Sequence, residues 1–177
     1  MGESQIVISA LGQDKPGIVK ALSKTVLDCG GNIADSRMTR LGDEFALIML
    51  VEGTDKVITS IEAAMQDCQV VLELTIITKR TALKTEQEKY LPYQIKVVCM
   101  DQPGIVHDVT DYIAKQNINI ETLDTSSYSA AHTGAPMFSL DMSISIPASM
   151  NVAQLKKDFL SFCDDLNLDA IVDPIKS

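Results

Sequence analysis

Hydrophobic positions along the chain fall into two series that repeat in the same order. In the first, Ile6 to Leu11 is a short β-type run that ends at Gly12. From Pro16 to Cys29, apolar Ile18, Leu22, Val26 and Cys29 lie three or four positions apart, the spacing of one helical face. Gly30-Gly31 stops that helix as glycine commonly does at a C-terminus. Asn32 to Leu41 mixes apolar and polar residues as a half-exposed strand would, and Gly42-Asp43 suits a hairpin turn. Phe45 to Val51 is almost wholly apolar and predicts a central strand. Thr54 or Asp55 caps a second helix with Val57, Ile58, Ile61, Ala64 and Met65 as its buried stripe. Val70 to Thr78 alternates as a fourth strand.

The second series follows the same plan. Tyr93 to Met100 predicts a strand, Pro103 to Gln116 a helix, and Ile118 to Tyr128 and Met137 to Ile146 two strands. Ser149 can cap a helix with Val152, Leu155, Phe159 and Phe162 on one face, and Asn167 to Asp173 closes the sheet. Strand, helix, strand, strand, helix, strand is the ferredoxin-like βαββαβ plan, an α+β fold with two helices on one face of a four-stranded antiparallel sheet. Two copies of it predict two domains, residues 1–79 and 92–177, joined by a polar linker at 80–91. The copies keep step from the first loop to Asn32-Ile33, which maps onto Asn119-Ile120. They fall out of step at the hairpin, where the second copy has extra residues around 129–136. Long loops carry function more often than core elements, although such an insertion is also easily tolerated.

Charge narrows the choice of function. The chain holds 15 Lys and Arg against 24 Asp and Glu, a formal net charge of −9. Most non-specific affinity for nucleic acid comes from cations on phosphates, so direct binding to DNA or RNA is not expected. No apolar run approaches the length of a membrane span, and the N-terminus lacks a basic region followed by an apolar one. A soluble cytoplasmic protein is expected, with no membrane partner. Cys29, Cys68, Cys99 and Cys163 form no CxxC and no metal-like cluster with His107 and His132, so buried thiols, no metal and no cofactor are expected.

Chemistry concentrates in one motif. Asp14-Lys15-Pro16-Gly17-Ile18-Val19 recurs as Asp101-Gln102-Pro103-Gly104-Ile105-Val106, each time between a strand and a helix. Asp is a good N-cap acceptor, Pro is tolerated in a first turn, and Gly lets other groups approach the backbone. A helix start of this kind offers free N–H groups and partial positive charge to a small anion or carboxylate. The competing reading makes Asp14 and Asp101 simple caps and Asn32 and Asn119 simple turn-formers. No nucleophile-base-orienter set is visible, so no catalytic residues are assigned. The copies also differ: Gly12 is matched by Cys99, and Lys20 by His107.

The D-x-P-G-I-V loop, a helix of about three turns, and then G-G-N-I or N-I-N-I, all within βαββαβ units, resemble the ACT domain family. That family comprises small regulatory modules that bind amino acids and control enzymes or transcription factors. The resemblance covers nearly the whole chain as two repeats and a linker. It implies ligand contacts at Gly12, Asp14, Pro16, Gly17, Ile18, Asn32 and Ile33 in the first repeat. In the second they fall at Asp101, Pro103, Gly104, Ile105, Asn119 and Ile120. Loop N–H groups would bind the carboxylate of a small amino acid, with glycine the ligand implied, and Asp or Asn oxygens would accept from its ammonium. The same resemblance implies a non-enzymatic, homo-oligomeric co-regulator that acts through a DNA-binding transcription factor. The rival is a ligand-independent interaction module. The acylphosphatase and RNA-binding uses of the same plan lack, respectively, an Arg in the first loop and an evident set of exposed strand aromatics.

Overall fold

The computed structural model describes residues 3–82 and 89–175, which form two compact units, the first from 3–82 and the second from 89–175. In the first unit the order is β1 (Glu3–Gln13), α1 (Ile18–Asp28), β2 (Asn32–Leu41), β3 (Glu44–Thr54), α2 (Asp55–Leu72) and β4 (Thr75–Thr81). In the second it is β5 (Tyr90–Met100), α3 (Ile105–Lys115), β6 (Asn119–Ser129), β7 (Pro136–Pro147), α4 (Val152–Asp165) and β8 (Asp169–Pro174). The sheets run β2-β3-β1-β4 and β6-β7-β5-β8 with every pairing antiparallel, which is the ferredoxin-like order. Of the predicted linker, Arg80 and Thr81 belong to β4, Tyr90 and Leu91 belong to β5, and residues 83–88 lie outside the described residues.

Each core is the space between a sheet and its two helices. Ile6, Ile8 and Ala10 of β1 and Phe45, Leu47, Met49 and Val51 of β3 alternate inward, as the two-residue strand period requires. They meet Ile18, Leu22 and Val26 of α1 and Ile58, Ile61 and Met65 of α2. The second unit repeats this layering but adds an aromatic seam between its helices. Tyr112 lies 4.7 Å from Phe162 in a stacked pair and 5.3 Å from Phe159 edge-on. In the first unit the equivalent seam is made by Thr25 and Cys68, whose Oγ1 and Sγ atoms lie 3.2 Å apart. A groove of about 310 Å3 opens beside those smaller side chains, lined by Ala21, Thr25, Cys68 and Leu72 among others.

Two boundaries differ from those expected. Val70 to Leu72 continue α2 instead of starting a strand. Valine pairs favour strands, but the helix runs on until Glu73 turns left-handed (φ 55) and Leu74 N–H reaches the Gln69 carbonyl at 3.1 Å, the six-to-one bond of a Schellman ending. The α4 cap is Asn151, not Ser149. Met150 N–H bonds back to the Pro147 carbonyl at 2.9 Å and holds Ser149 in a turn, so Asn151 Oδ1 accepts from Gln154 N–H at 3.1 Å. At α2, Thr54 takes the cap, accepting from Val57 N–H at 3.4 Å.

Candidate functional site

In both units the repeated motif forms the turn between the first strand and the first helix. Asp14 N–H donates to the Asp43 carbonyl at 3.0 Å, and Asp101 N–H donates to the Pro136 carbonyl at 3.0 Å. Each loop is thereby tied to the neighbouring hairpin at the same place. The helix cap is glycine in each case: Gly17 at φ 95 and Gly104 at φ 99, neither supplying a side-chain acceptor. This corrects the capping role of Asp14 and Asp101. The left-handed φ at the cap is open to glycine and costly for other residues, which explains Gly and moves both carboxylates off the helix end. Pro16, Gly17, Pro103 and Gly104 are exposed, while Ile18 and Ile105 are buried in the cores and present only backbone to the loop.

The two loops carry different charges. In the first unit Lys15 Nζ forms an ion pair with Glu73, and Arg40 Nη1 lies 3.5 Å from Asp14 Oδ2. The Lys15 ammonium holds the Glu73 carboxyl below the usual carboxylate range. Two cations and two carboxylates thus meet around one uncapped helix start. In the second unit Gln102 stands in place of Lys15, Asn167 in place of Glu73, and Ser127, across from Phe138 as Arg40 is from Phe45, in place of Arg40. Nothing in the sequence alone marks Arg40 and Glu73 as neighbours of the loop. Glu73 was hidden inside the supposed fourth strand, and Arg40 only reveals itself once β2 is folded over the loop. Lys15, a cation inside the motif with no acidic residue near it in sequence except Asp14, is the one local signal.

Gly12 is explained by packing. A Cβ there would come within 2.8 Å of Leu74 Cδ2 and 3.2 Å of the Glu73 carbonyl, so its absence lets the end of α2 close over β1. Cys99, its counterpart, is buried, and that burial, with Asp101 and Asp169 nearby, raises its thiol pKa.

Asn32 and Asn119 lie far from the loops of their own units. Asn32 pairs across to Glu52 at the level of Gln5, whereas the loop follows Gln13. Eight residues at ~3.4 Å each put the two about 27 Å apart along the sheet. Asn119 pairs with Ser145 at the level of Pro92, and its loop follows Met100. Asn and loop are therefore not two jaws of one site within a unit. Both Asn-Ile pairs instead precede an irregularity in strand register, between Ile33 and Asp35 and between Ile120 and Thr122, and both asparagines are exposed beside a half-buried isoleucine.

His107 and His132 are exposed. The 129–136 segment closes on itself through Ala130 N–H to the Ala135 carbonyl (2.9 Å) and Gly134 N–H to the Ala130 carbonyl (2.8 Å). All four cysteines are free thiols; Cys99 and Cys163 are buried, Cys29 and Cys68 half-buried. Among the described residues no group of three His, Cys, Asp or Glu side chains could hold a metal ion, and no helix is long and apolar enough to cross a membrane.

Comparison with known proteins agrees with this architecture. The ACT domain profile matches residues 4–79. The glycine cleavage system transcriptional repressor of Escherichia coli (strain K12) is 31% identical over 170 residues, covering 96% of this chain and 90% of that protein. A solved structure of an unknown protein from Galdieria sulphuraria superposes with a TM-score of 0.79 at 26% identity, covering 99% of this chain and 100% of the other. A solved structure described as a candidate glycine cleavage system transcriptional repressor gives 0.75 at 27% identity, with 100% of both chains covered. The chain is a tandem ACT-domain protein and belongs to the non-catalytic regulatory family of the glycine cleavage system transcriptional repressor.

Proposed function

We propose that this protein is an amino-acid-responsive transcriptional co-regulator that works by contact with a DNA-binding partner in the cytoplasm. Glycine is the ligand suggested by the names of its relatives. The observation that carries the ligand reading is the first loop, where Lys15, Arg40, Asp14 and Glu73 surround the uncapped start of α1. A zwitterion needs charges of both signs: its carboxylate suits Arg40, Lys15 and the first-turn N–H groups, and its ammonium suits Asp14 and Glu73. Gly12, Pro16, Gly17 and Ile18 shape the backbone there, and the first loop is accordingly the favoured site. Asp101, Pro103, Gly104 and Ile105 would give a weaker one. Asn32, Ile33, Asn119 and Ile120 belong to the opposite ends of the sheets, and an amino acid bound at a loop does not reach the Asn corner of the same unit. Helix-end charge contributes only ~0.3–1 kcal/mol at an exposed position, so the side chains must supply most of the affinity. The formal charge of −9 favours a protein partner over DNA itself.

Calorimetry of the full chain against the twenty amino acids tests the ligand reading. Glycine or another small amino acid should give saturable heat that Arg40→Gln and Lys15→Gln weaken and Gln102→Ala leaves alone; no heat with any of them removes the reading. Co-purification from the native cell tests the partner, and recovery of no transcription factor counts against it.

A ligand-independent interaction module is the second reading, favoured by the apolar side chains that the first unit exposes on its sheet. Gly17→Val and Gly104→Val separate the two: unchanged regulation supports the module, and lost ligand response with partner binding retained supports sensing.

A further inference from the structure

The helices cover one face of each sheet. Both opposite faces expose apolar side chains, Leu11 and Ile77 in the first unit and Val98, Met100 and Ile171 in the second, but their centres differ. On the first unit's open face Val7, Leu11, Ala46, Ile48, Leu50 and Ile77 form an apolar centre, with Leu11, Ile48 and Ile77 exposed by 52%, 49% and 64%. A shallow groove of about 210 Å3 crosses it over Val7, Ile48 and Leu50, bordered by Asp35 and Arg37. The corresponding level of the second unit is polar and internally satisfied. Gln94 Nε2 donates to Asp141 Oδ1 at 2.7 Å, Thr122 and Ser143 share a hydrogen bond at 2.6 Å, and Lys96 lies 3.6 Å from Asp141.

We propose that the first unit's open face is a dimer interface that packs against the same face of a second copy of this chain, about a two-fold axis parallel to the strands. The sheet order decides the operator. Such an axis lays β2 over β4 and β3 over β1 of the other copy while preserving level along the strands. Asp35, Leu50, Val7 and Lys79 lie at one level across the sheet, with the two charges at its opposite edges. The operation therefore brings Asp35 against Lys79 of the partner subunit, twice, and seats Leu50 against Val7 of the partner subunit between them. Within one chain three strand spacings, about 14 Å, keep the two charges apart. Asp35 pairs along its own strand with Arg37, which leaves its second carboxylate oxygen for Lys79 of the partner subunit, and Lys79 forms no ion pair among the described residues. A patch that is apolar at its centre and self-complementary in charge at its edges is what an isologous contact requires.

Its size fits. Four strands at ~4.8 Å and about nine residues at ~3.4 Å give a footprint of roughly 500 Å2 per copy, near 1,000 Å2 in all, at the lower end of specific interfaces. The dimer should dissociate on dilution. Aligned packing at about 30° is the ordinary geometry for two such twisted sheets. The inference is independent of the amino-acid reading and can fail without it.

Sedimentation velocity of the full chain over a concentration series tests it. A reversible dimer is expected, which Ile48→Glu converts to monomer with circular dichroism and melting temperature unchanged. Asp35→Lys and Lys79→Asp should each weaken dimerisation about tenfold, and the double variant should restore it, because the pair is rebuilt only between chains. A wild-type monomer at every concentration overturns the proposal. So does a dimer indifferent to Ile48→Glu, or single charge reversals that the double does not rescue. A monomer whose binding to a co-purified regulator is lost in Ile48→Glu reassigns the face to that regulator and overturns the second-copy assignment.

Discussion

At the end of α2, Glu73 turns left-handed at φ 55 and forms an ion pair with Lys15 in the first loop. At the end of α4, Asn167 makes the same turn at φ 56, and the loop position equivalent to Lys15 is Gln102. The backbones agree; the chemistry hung on them does not. A left-handed conformation is far easier for Asn than for Glu, so the second unit uses the residue suited to the turn and the first uses one suited to a charge. The same division recurs between the helices, aromatic in the second unit and small in the first, and at the centre of the open sheet faces, where Gln94, Asp141 and Ser143 of the second unit stand in place of Val7, Ile48 and Leu50 of the first. Taken together, the second unit is built for internal consistency, and the first places charge and apolar surface where another molecule can meet them.

The largest test of that comparison lies in the cores. Phe159→Ala removes the ring at the centre of the second unit's aromatic seam and should cost about 3–5 kcal/mol, with loss of the Tyr112 near-ultraviolet signal. Met65→Ala, in the first unit, should cost about 2–5 kcal/mol without that signature. Hydrogen exchange read unit by unit checks both, and equal loss of protection in the two units from either change would break the comparison.

Exchanging one small residue comes next. Gly12→Cys installs the second unit's residue in the first, with a Cβ 2.8 Å from Leu74 Cδ2. Overpacking of this kind costs about 1–3 kcal/mol, and the end of α2, Glu73 included, must move away from the loop. Thermal melting should fall and any amino-acid response should weaken together. An unaltered melting temperature would mean that α2 closes over β1 less tightly than these distances imply.

Cysteine ionisation gives a smaller effect. Burial pushes the Cys163 thiol up to about 12 from an ordinary value of 9.0. Because the folded value is raised, its contribution to stability is complete below the unfolded pKa and is lost as pH rises from about 9 toward 12. The loss from this group should reach about 1 kcal/mol by pH 10. Denaturant titrations of wild type and Cys163→Ala at pH 7 and 10 check it; the variant should show the shallower pH dependence.

Much of this architecture is legible in the sequence because helical and strand periods are written in residues that pack. Ile18, Leu22 and Val26 announce α1, and the alternation in β3 announces a central strand. The loop motif is equally visible, since glycine at φ 95 leaves a mark in composition. What stays hidden depends on residues brought together by folding. Nothing local distinguishes Val70-Val71 in a helix from the same pair in a strand, and the outcome is settled by Leu72 and Leu74 packing at the helix end. Arg40 meets Asp14 only across a folded hairpin. The Asn-Ile pairs resemble loop partners in sequence because their spacing from each loop is constant, but a helix intervenes and carries them to the far end of the sheet.

The smallest effect is the most pointed. Glu73→Asn gives the first unit the second unit's residue at a left-handed position and should stabilise it by about 0.5–1 kcal/mol, since the strain relieved exceeds what an exposed ion pair contributes. The same change removes a carboxylate from the loop and should weaken amino-acid binding if that loop is the site. Lys15→Gln dissects the result. In that variant Glu73 keeps its turn but loses its partner, and its carboxyl, held low by Lys15 in the wild type, should titrate back at the ordinary value near 4.5 by nuclear magnetic resonance. The wild-type pair contributes above that range and is lost as pH falls through the lowered Glu73 value. Stability that rises while binding falls would identify Glu73 as a residue kept for its charge against the preference of its backbone. Stability that rises with binding untouched would return the first loop to a structural role and leave the open sheet face as the feature that sets the two units apart.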